Sequence, residues 1–307
     1  MEQSLNHVPT VLCFGEVLWD CLPEGMYAGG APLNVAYHLR RQGLDALPVT
    51  AVGRDELGAR LRQLMGEWGM GTNYVGVDED HPTGVVQVTL GPEGGARYEI
   101  VEDVAWDHIA VTPDLLAASS GAAALVFGTL AARSARNRAG LTRLREAAGD
   151  AWKIYDVNLR PPYDDHELVR ELARDVDLIK LNDAELGALT GREVTLDSIA
   201  AVAATFALSL ACPRMCVTAG PQGAGLLAGG EWFWAHGRPI ATKDTVGAGD
   251  AFLASLIAGL LVAKGTPPAA PPQEILERAC RLGEFVAASD GATPFYQLDE
   301  AGEIRAE

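Results

Sequence analysis

Six short, nearly uninterrupted apolar runs recur along the chain, and each is separated from the next by segments of helical character. They lie at residues 10–19 (TVLCFGEVLW), 47–53, 123–128 (AALVFG), 152–157 (WKIYDV), 176–181 (VDLIKL) and 214–219. A strand with one wet face alternates apolar and polar residues, whereas a parallel strand covered on both faces has no reason to alternate. Helices are expected at 33–42, 56–68, 133–148, 182–190, 195–208, 248–263 and 272–288. The last two are apolar nearly all round and read as well buried. Strand alternating with helix predicts an α/β, doubly wound, mainly parallel sheet covered by helices. One segment departs from this rhythm. Residues 84–91 (GVVQVTLG) and 96–102 (ARYEIVE) alternate as antiparallel strands do, with Pro92-Glu93-Gly94-Gly95 as the turn. The hairpin reads equally as a plain edge element and as a lid over a binding site. The four prolines in 265–273 require a loop between the two C-terminal helices. No internal repeat or domain linker breaks the chain.

A length of 307 residues suits a single large domain; on the lid reading, the lid is expected to comprise approximately 18–28 and 84–107. No apolar run reaches the ~18 residues that span a bilayer. The N-terminal MEQSLNHVPT lacks the basic start and apolar core of a signal peptide. The closest pair of the five cysteines, Cys212 and Cys216, has no His or Cys cluster beside it to complete a zinc site. Buried free thiols in a reducing cytoplasm are expected. The net charge of −17 repels nucleic-acid backbones and anionic lipid, so neither partner is expected. An anionic nucleotide would have to be met by local donors and a metal.

The most informative run is Asp244-Thr245-Val246-Gly247-Ala248-Gly249-Asp250-Ala251-Phe252, which opens a long apolar helix. Gly247, Ala248 and Gly249 let a ligand approach the backbone closely. The first turn of a helix offers unpaired N–H groups and the positive end of the macrodipole, together an anion site. A carboxylate such as Asp250 beside that site would repel a stored phosphate. It suits phosphoryl transfer, where one group must accept the proton of the attacking hydroxyl. The plainer alternative is a helix cap with a tight turn.

The run DTVGAGDAF resembles the C-terminal signature of the ribokinase-like (PfkB) carbohydrate kinase family. Gly29-Gly30-Ala31-Pro32-Leu33-Asn34-Val35-Ala36 resembles its N-terminal signature. The two stand in the family's order, more than two hundred residues apart, so the resemblance spans nearly the whole chain. GEVLWDCLPEG followed by GGAPLNVAYHL is most similar to the family's bacterial fructokinases. The resemblance implies a ribokinase-like fold and ATP-dependent transfer of a phosphoryl group to a sugar, with Mg²⁺. It makes Asp250 the catalytic base and the N–H groups of Ala248, Gly249 and Asp250, after Gly247, the anion hole. Asp20, read at the end of the first strand, would grip sugar hydroxyls, with Gly29, Gly30 and Asn34 beside it. Asn182 and Glu185 match the family's Asn-x-x-Glu element and would hold Mg²⁺ through water; without the family they read as an N-cap and its capping box. Asp156-Val157-Asn158-Leu159-Arg160 resembles another family run, in which Arg160 could reach a phosphate or the substrate. On the nucleotide side the resemblance assigns Lys180, Thr218, Gly220, Gly223 and Thr245. Asp244 and Val246 with 287–293 would offer carbonyls to a monovalent cation such as K⁺.

Two competing readings fail on specific residues. A dinucleotide-dependent dehydrogenase needs Gly-x-Gly-x-x-Gly after its first strand, where this chain has Gly15-Glu16-Val17-Leu18-Trp19-Asp20. A P-loop NTPase needs a Gly-Lys pair, and the sequence contains none. A catalytically silent sugar-binding regulator stays as an alternative, which Asp250 beside an anion hole argues against and which sugar binding without ATP turnover would support. The expected acceptor is D-fructose at its primary 6-hydroxyl, with ribose, 2-keto-3-deoxygluconate and nucleosides as alternatives. A sugar acid would need a cation, for which Arg97 on the lid is the candidate. The hairpin would also allow a homodimer through the lid.

Overall fold

The computed structural model describes residues 8–22, 25–90, 96–261, 268, 270–299 and 302–305. The chain enters on β1 (Thr10–Phe14) and continues through β2 (Leu18–Leu22), β3 (Gly25–Gly29), α1 (Ala31–Arg41), β4 (Asp45–Gly53), α2 (Glu56–Glu67) and β5 (Val75–Asp78). Then follow β6 (Gly84–Leu90), β7 (Ala96–Ile100), α3 (Pro113–Gly121), β8 (Ala124–Gly128), α4 (Ala135–Ala147), β9 (Trp152–Asp156) and α5 (His166–Leu172). The C-terminal part comprises β10 (Leu178–Asn182), α6 (Asp183–Thr190), α7 (Ile199–Ser209), β11 (Arg214–Thr218), β12 (Gly223–Ala228), β13 (Glu231–His236), α8 (Ala248–Leu260) and α9 (Pro272–Ala287). Two-residue strands β14 (Gln297–Leu298) and β15 (Ile304–Arg305) pair with each other.

Nine strands form one sheet in the order β13-β12-β11-β10-β9-β8-β1-β4-β5. Pairing is parallel from β11 to β5, and β12 and β13 add an antiparallel edge. The apolar runs behave as two-sided burial demands. In β1, Val11 and Cys13 face one core while Leu12 and Phe14 face the other, and all four are essentially inaccessible. α1, α8 and α9 cover the first face, and α4, α6 and α7 the second. This is the expected doubly wound α/β sheet. β1 lies where the order reverses, since the chain runs from it to β4 and β5 on one side and resumes at β8 on the other. In open α/β sheets that reversal leaves a crevice outside the carboxyl ends of the strands, where ligands bind.

The apolar run 10–19 is not one strand. The chain leaves the main sheet at Gly15 (φ 152°), where a Cβ would stand 2.5 Å from Pro32 Cγ. It re-enters as β2 in a separate sheet of order β3-β2-β6-β7. Asp20 therefore sits inside this second sheet, opposite Tyr27 and Val86, and not at the carboxyl end of a main-sheet strand. The hairpin β6–β7 is its other half, and the turn expected at Pro92-Glu93-Gly94-Gly95 lies outside the described residues. Residues 101–107 do not extend it as strand. They lead into a 3₁₀ turn, Ala105–His108, whose Trp106 is fully buried.

That turn anchors the second sheet to the main body. Ala105 N–H reaches Pro82 O at 2.8 Å, and Arg133 makes a buried two-pronged pair with Asp107 (2.9 and 2.7 Å) while lying 4.0 Å over the Trp106 ring. Asn137 of α4, fully buried, donates to Trp106 O (2.7 Å) and Ala131 O (2.9 Å) and accepts from Ile109 N (3.1 Å). Removing its amide leaves buried backbone groups without partners, each worth about 1–3 kcal/mol. Asn137→Ala should accordingly lower unfolding stability by about 3 kcal/mol, read from the urea midpoint; a change under about 1 kcal/mol would show the anchor lies elsewhere.

Candidate active site

Helix α8 starts where the chain passes through Gly247 in the left-handed region (φ 76°), with a Cβ there meeting Ala292 Cβ at 2.5 Å. Only glycine fits this close, left-handed turn. Ala248 and Gly249 form the first turn, and Asp250 follows with 8% of its surface exposed. Asn34 of α1, also buried, donates from Nδ2 to Asp250 Oδ2 at 2.8 Å. A bond between residues 216 apart in sequence thus joins the starts of α1 and α8. The Asn34 amide, expected to serve sugar hydroxyls, is turned to Asp250 through its NH₂, while its buried Oδ1 has no hydrogen-bond partner among the described residues. Burial, reinforced by the Asp156 carboxylate, raises the Asp250 pKa to about 6 despite opposing effects of Lys180, the Asn34 bond and Arg160. Among the described residues Asp250 has no direct ion pair.

Lys180, on β10, ends against this turn: a Cβ at Gly249 would lie 3.2 Å from its Nζ. It bonds both oxygens of Asp156, at 3.0 and 3.2 Å, and both partners are buried. Burial alone would lower the ammonium pKa, but Asp156, Asp250 and Glu185 outweigh it and hold the pKa above its ordinary value. Lys180 is therefore a charged member of a buried acidic group.

Asn182 caps α6, accepting from Glu185 N at 2.8 Å, and Glu185 returns the bond to Asn182 N at 2.8 Å. The other Glu185 oxygen accepts from Leu159 N at 2.7 Å, so the glutamate also fixes the loop after β9. Burial raises its pKa, with Asp156 adding to the shift and Lys180 and the backbone N–H groups opposing it. Hard oxygens with lone pairs to spare, beside an acidic group that holds one lysine, form a donor set that fits Mg²⁺ kept partly hydrated.

The remaining expected residues fall into two groups. Asp20 is half-buried in β2, and Gly29 leaves room for it, since a Cβ at Gly29 would meet Asp20 Oδ2 at 2.5 Å. Burial raises the Asp20 pKa, countered by Arg160 and assisted by Asp244. Gly30 caps α1 with φ 116°, packed against the Glu16 carbonyl. Arg160 is exposed and donates to Leu159 O at 3.0 Å. Arg97 lies in β7 opposite Thr89, and its side chain is outside the described residues. On the far side, Thr218 ends β11 in register with Asn182, and Gly220 and Gly223 turn the chain into β12. Thr245 is exposed at the entry to α8, its carbonyl receiving Ala248 N at 3.3 Å. The neighbouring carbonyls of Ala287 and Ala292 already accept from Lys243 and Asp244 N–H groups and from His38 respectively, if the latter carries its proton on Nε2.

One residue escaped the sequence. Glu16, just past β1, is 5% exposed, and its Oε2 has no hydrogen-bond partner among the described residues. It borders a cavity of about 10 Å³, the smallest that admits one water. Asp156, Asn158, Thr129 and Pro32 border the same space, at the reversal point of the sheet. Burial raises the Glu16 pKa to about 7, with Asp250 adding to it while backbone bonds and Arg160 oppose. The available signal was a glutamate inside an otherwise apolar run.

Residues 9–297 match the family described as pfkB family carbohydrate kinase. The chain is 30% identical over 294 residues to a fructokinase of Klebsiella pneumoniae, covering 91% of this chain and 93% of that protein. Its fold superposes with TM-score 0.77 on a double-mutant fructokinase from Vibrio cholerae in its fructose-, ADP- and potassium-bound form, at 21% identity, covering 93% and 94% of the two chains. With the 2-dehydro-3-deoxygluconokinase of Thermotoga maritima the TM-score is 0.79 at 19% identity, covering 93% and 95%.

A carboxyl group whose pKa is higher folded than unfolded keeps a proton that the unfolded chain releases. Its contribution to stability is present at low pH and declines as pH rises from the ordinary glutamate value toward about 7. Glu16→Gln should thus be more stable than the parent at pH 8, by up to about 3 kcal/mol, with a smaller gap at pH 5. Equal differences in Tm at the two pH values would contradict this.

Proposed function

The chain belongs to the pfkB family of carbohydrate kinases, and on that premise we propose that it transfers the γ-phosphoryl group of ATP to the primary 6-hydroxyl of D-fructose, with Asp250 as base. Membership makes it an ATP-dependent sugar kinase. The choice of fructose rests on the Klebsiella pneumoniae fructokinase at 30% identity and on the absence of Lys and Arg from residues 10–39.

The observation that carries the mechanism is the Asp250 carboxylate itself, buried in the first turn of α8 with its pKa at about 6. A base poised near the working pH is ionised yet able to take a proton from a hydroxyl as it attacks. Asn34 orients it by holding Oδ2 and leaving Oδ1 for the substrate. The N–H groups of Gly249 and Asp250, with that of Ala248 shared with Thr245 O, would meet charge developing on the transferred group, aided by the helix dipole. Asp20 and Gly29 would hold the sugar from the second sheet, which acts as a lid excluding water when it closes. Thr218, Gly220, Gly223 and Thr245 would flank the nucleotide; Lys180, expected beside them, instead has its ammonium on both Asp156 oxygens and would neutralise that carboxylate behind the transfer site. Mg²⁺ would be held on the Asn182–Glu185 side, where it supplies charge neutralisation to the phosphates. A potassium ion near Asp244 and Val246 is the monovalent cation this reading includes. Met26 and Tyr27, exposed on edge strand β3, give the lid a surface for pairing with a second copy. The five free thiols fit a reducing cytoplasm.

A six-carbon sugar acid is the second reading, favoured by Arg160, whose guanidinium is exposed while sharing the field of Asp20, Glu16 and Asp250. A forked cation could take a substrate carboxylate there. Measuring kcat/KM for fructose, ribose, 2-keto-3-deoxygluconate and adenosine, with and without K⁺, separates the two. Fructose should rank first, and an at least tenfold preference for the sugar acid that Arg160→Ala abolishes would install the second reading.

Asp250→Asn should lower kcat by at least about a hundredfold with fructose affinity little changed. Near-normal kcat would remove Asp250 from the chemistry. Since only the ionised carboxylate accepts a proton, kcat/KM should fall as pH drops through about 6. A flat profile from pH 5 to 8 would contradict a titrating base.

A further inference from the structure

Helix α1 meets the C-terminal segment 292–296 along one face. Asn34, Tyr37, His38 and Arg41 stand three and four residues apart on the helix and therefore share that face. Asn34 addresses Asp250, and the other three address the segment. Tyr37 Oη donates to Pro294 O at 2.9 Å. Arg41 Nε donates to Tyr296 O at 2.8 Å, and its guanidinium lies 4.2 Å over the Phe295 ring. His38 stands between them, fully inaccessible, with Nε2 2.9 Å from Ala292 O and Nδ1 3.2 Å from Tyr296 Oη. The Tyr296 ring stacks on the imidazole with centroids 5.7 Å apart, and the Tyr37 ring meets it edge-on at 5.1 Å.

A carbonyl only accepts, so Nε2 carries the ring proton and Nδ1 is the acceptor for the Tyr296 hydroxyl. A neutral imidazole thus satisfies both partners. Burial lowers the His38 pKa to about 4, with the Ala292 bond opposing and Arg41 adding to the shift, so the ring is uncharged at neutral pH. The bond to Ala292 reaches beyond the core because of what Ala292 touches. A Cβ at Gly247 would lie 2.5 Å from Ala292 Cβ and 2.7 Å from its Cα, so residue 292 backs the left-handed turn that opens α8. Gly249 and Asp250 follow within the first helical turn.

We infer that His38 is a positioning residue for phosphoryl transfer: by holding the Ala292 carbonyl it keeps residue 292 against Gly247, and so fixes the N–H groups of Gly249 and Asp250 relative to α1. This role rests on the reading of that turn as the anion hole. α1 then acts on the start of α8 twice, through Asn34 on the Asp250 carboxylate and through His38 on the backbone turn before it. An apolar side chain at position 38 would fill much of the space, yet it would leave the buried Ala292 carbonyl without its donor and the turn without its backing. A shift of about 1 Å in groups that meet a transition state costs on the order of a hundredfold in rate.

The test compares two variants of the full chain with the parent at about 20 °C, using ATP and whichever sugar gives the highest kcat/KM. His38→Gln keeps an N–H within reach of Ala292 O and should hold kcat within about threefold of the parent. His38→Leu has no donor and should lower kcat and kcat/KM alike, at least about tenfold, with the sugar KM within about twofold. Rates are taken per mole of folded protein, measured by circular dichroism at the assay temperature, so lost stability alone leaves kcat unchanged. Backbone ¹⁵N–¹H NMR reads the turn without turnover: the Gly249 and Asp250 amide signals should move in His38→Leu and stay in place in His38→Gln. In the parent, which needs no variant to fold, ring ¹⁵N shifts should show a neutral His38 protonated on Nε2 from pH 6 to 8. Unmoved amide signals in His38→Leu, equal losses of kcat in the two variants, or an Nδ1–H or charged ring in the parent would each overturn the role of His38. Moved signals with a parental kcat would overturn it by another route, since the turn would then be held by His38 without serving as the anion hole.

Discussion

The Asn34–Asp250 hydrogen bond is the contact on which the arrangement of the groove depends. It is made by helices from opposite ends of the chain, and it can form only if both begin at the same point beside β1. Gly30 and Gly247 set those starts through left-handed turns, and neighbouring backbone at Glu16 and Ala292 leaves no space for a side chain at either. The bond holds a buried carboxylate that, among the described residues, has no cation in direct contact. Burial and the nearby Asp156 outweigh the relief that Lys180, the Asn34 bond and Arg160 give, and its pKa is raised to about 6. A surface carboxylate in the same sequence would be too weak a base for a hydroxyl proton.

The charge balance around that bond is set by geometry more than by count. Glu16, Asp156, Glu185 and Asp250 gather near the carboxyl ends of β1, β9 and β10 and the start of α8, with Lys180 as the buried cation. Lys180 neutralises Asp156 and leaves Asp250 biased but unpaired. Glu185 is secured by backbone N–H groups on two elements, and Glu16 keeps one oxygen without a partner beside a water-sized cavity. A carboxylate group with so few compensating cations is stable because several members are hydrogen-bonded by backbone, and because some keep their protons near neutrality.

Two-sided burial made much of the fold legible in the sequence. β8, β9, β10 and β11 carry apolar runs that follow from a covered parallel sheet, and they lie within about two residues of expectation. The strands that escaped obey other rules. β12 is rich in glycine, β13 is an edge strand with an exposed face, and β5 has two exposed residues of four. The break at Gly15 was hidden by hydrophobicity on both sides, which let β1 and β2 pass as one strand and moved Asp20 into the wrong sheet. α3 and α5 are short and carry the small or charged residues of a surface helix. At the site, the Gly-Ala-Gly-Asp turn and the Asn182–Glu185 box were readable because local backbone chemistry dictates them. The pairings Asn34–Asp250 and Lys180–Asp156 were not, since each joins strands or helices that only the tertiary fold brings together.

The central claim is that burial converts Asp250 into a base with a proton affinity suited to neutral pH. Carboxyl ¹³C NMR of selectively labelled protein, with the Asp250 signal assigned by its loss in Asp250→Asn, measures that affinity without any assumption about substrate. The signal should titrate with a midpoint near 6. A midpoint near 4, the ordinary value for a solvated aspartate, would contradict the account.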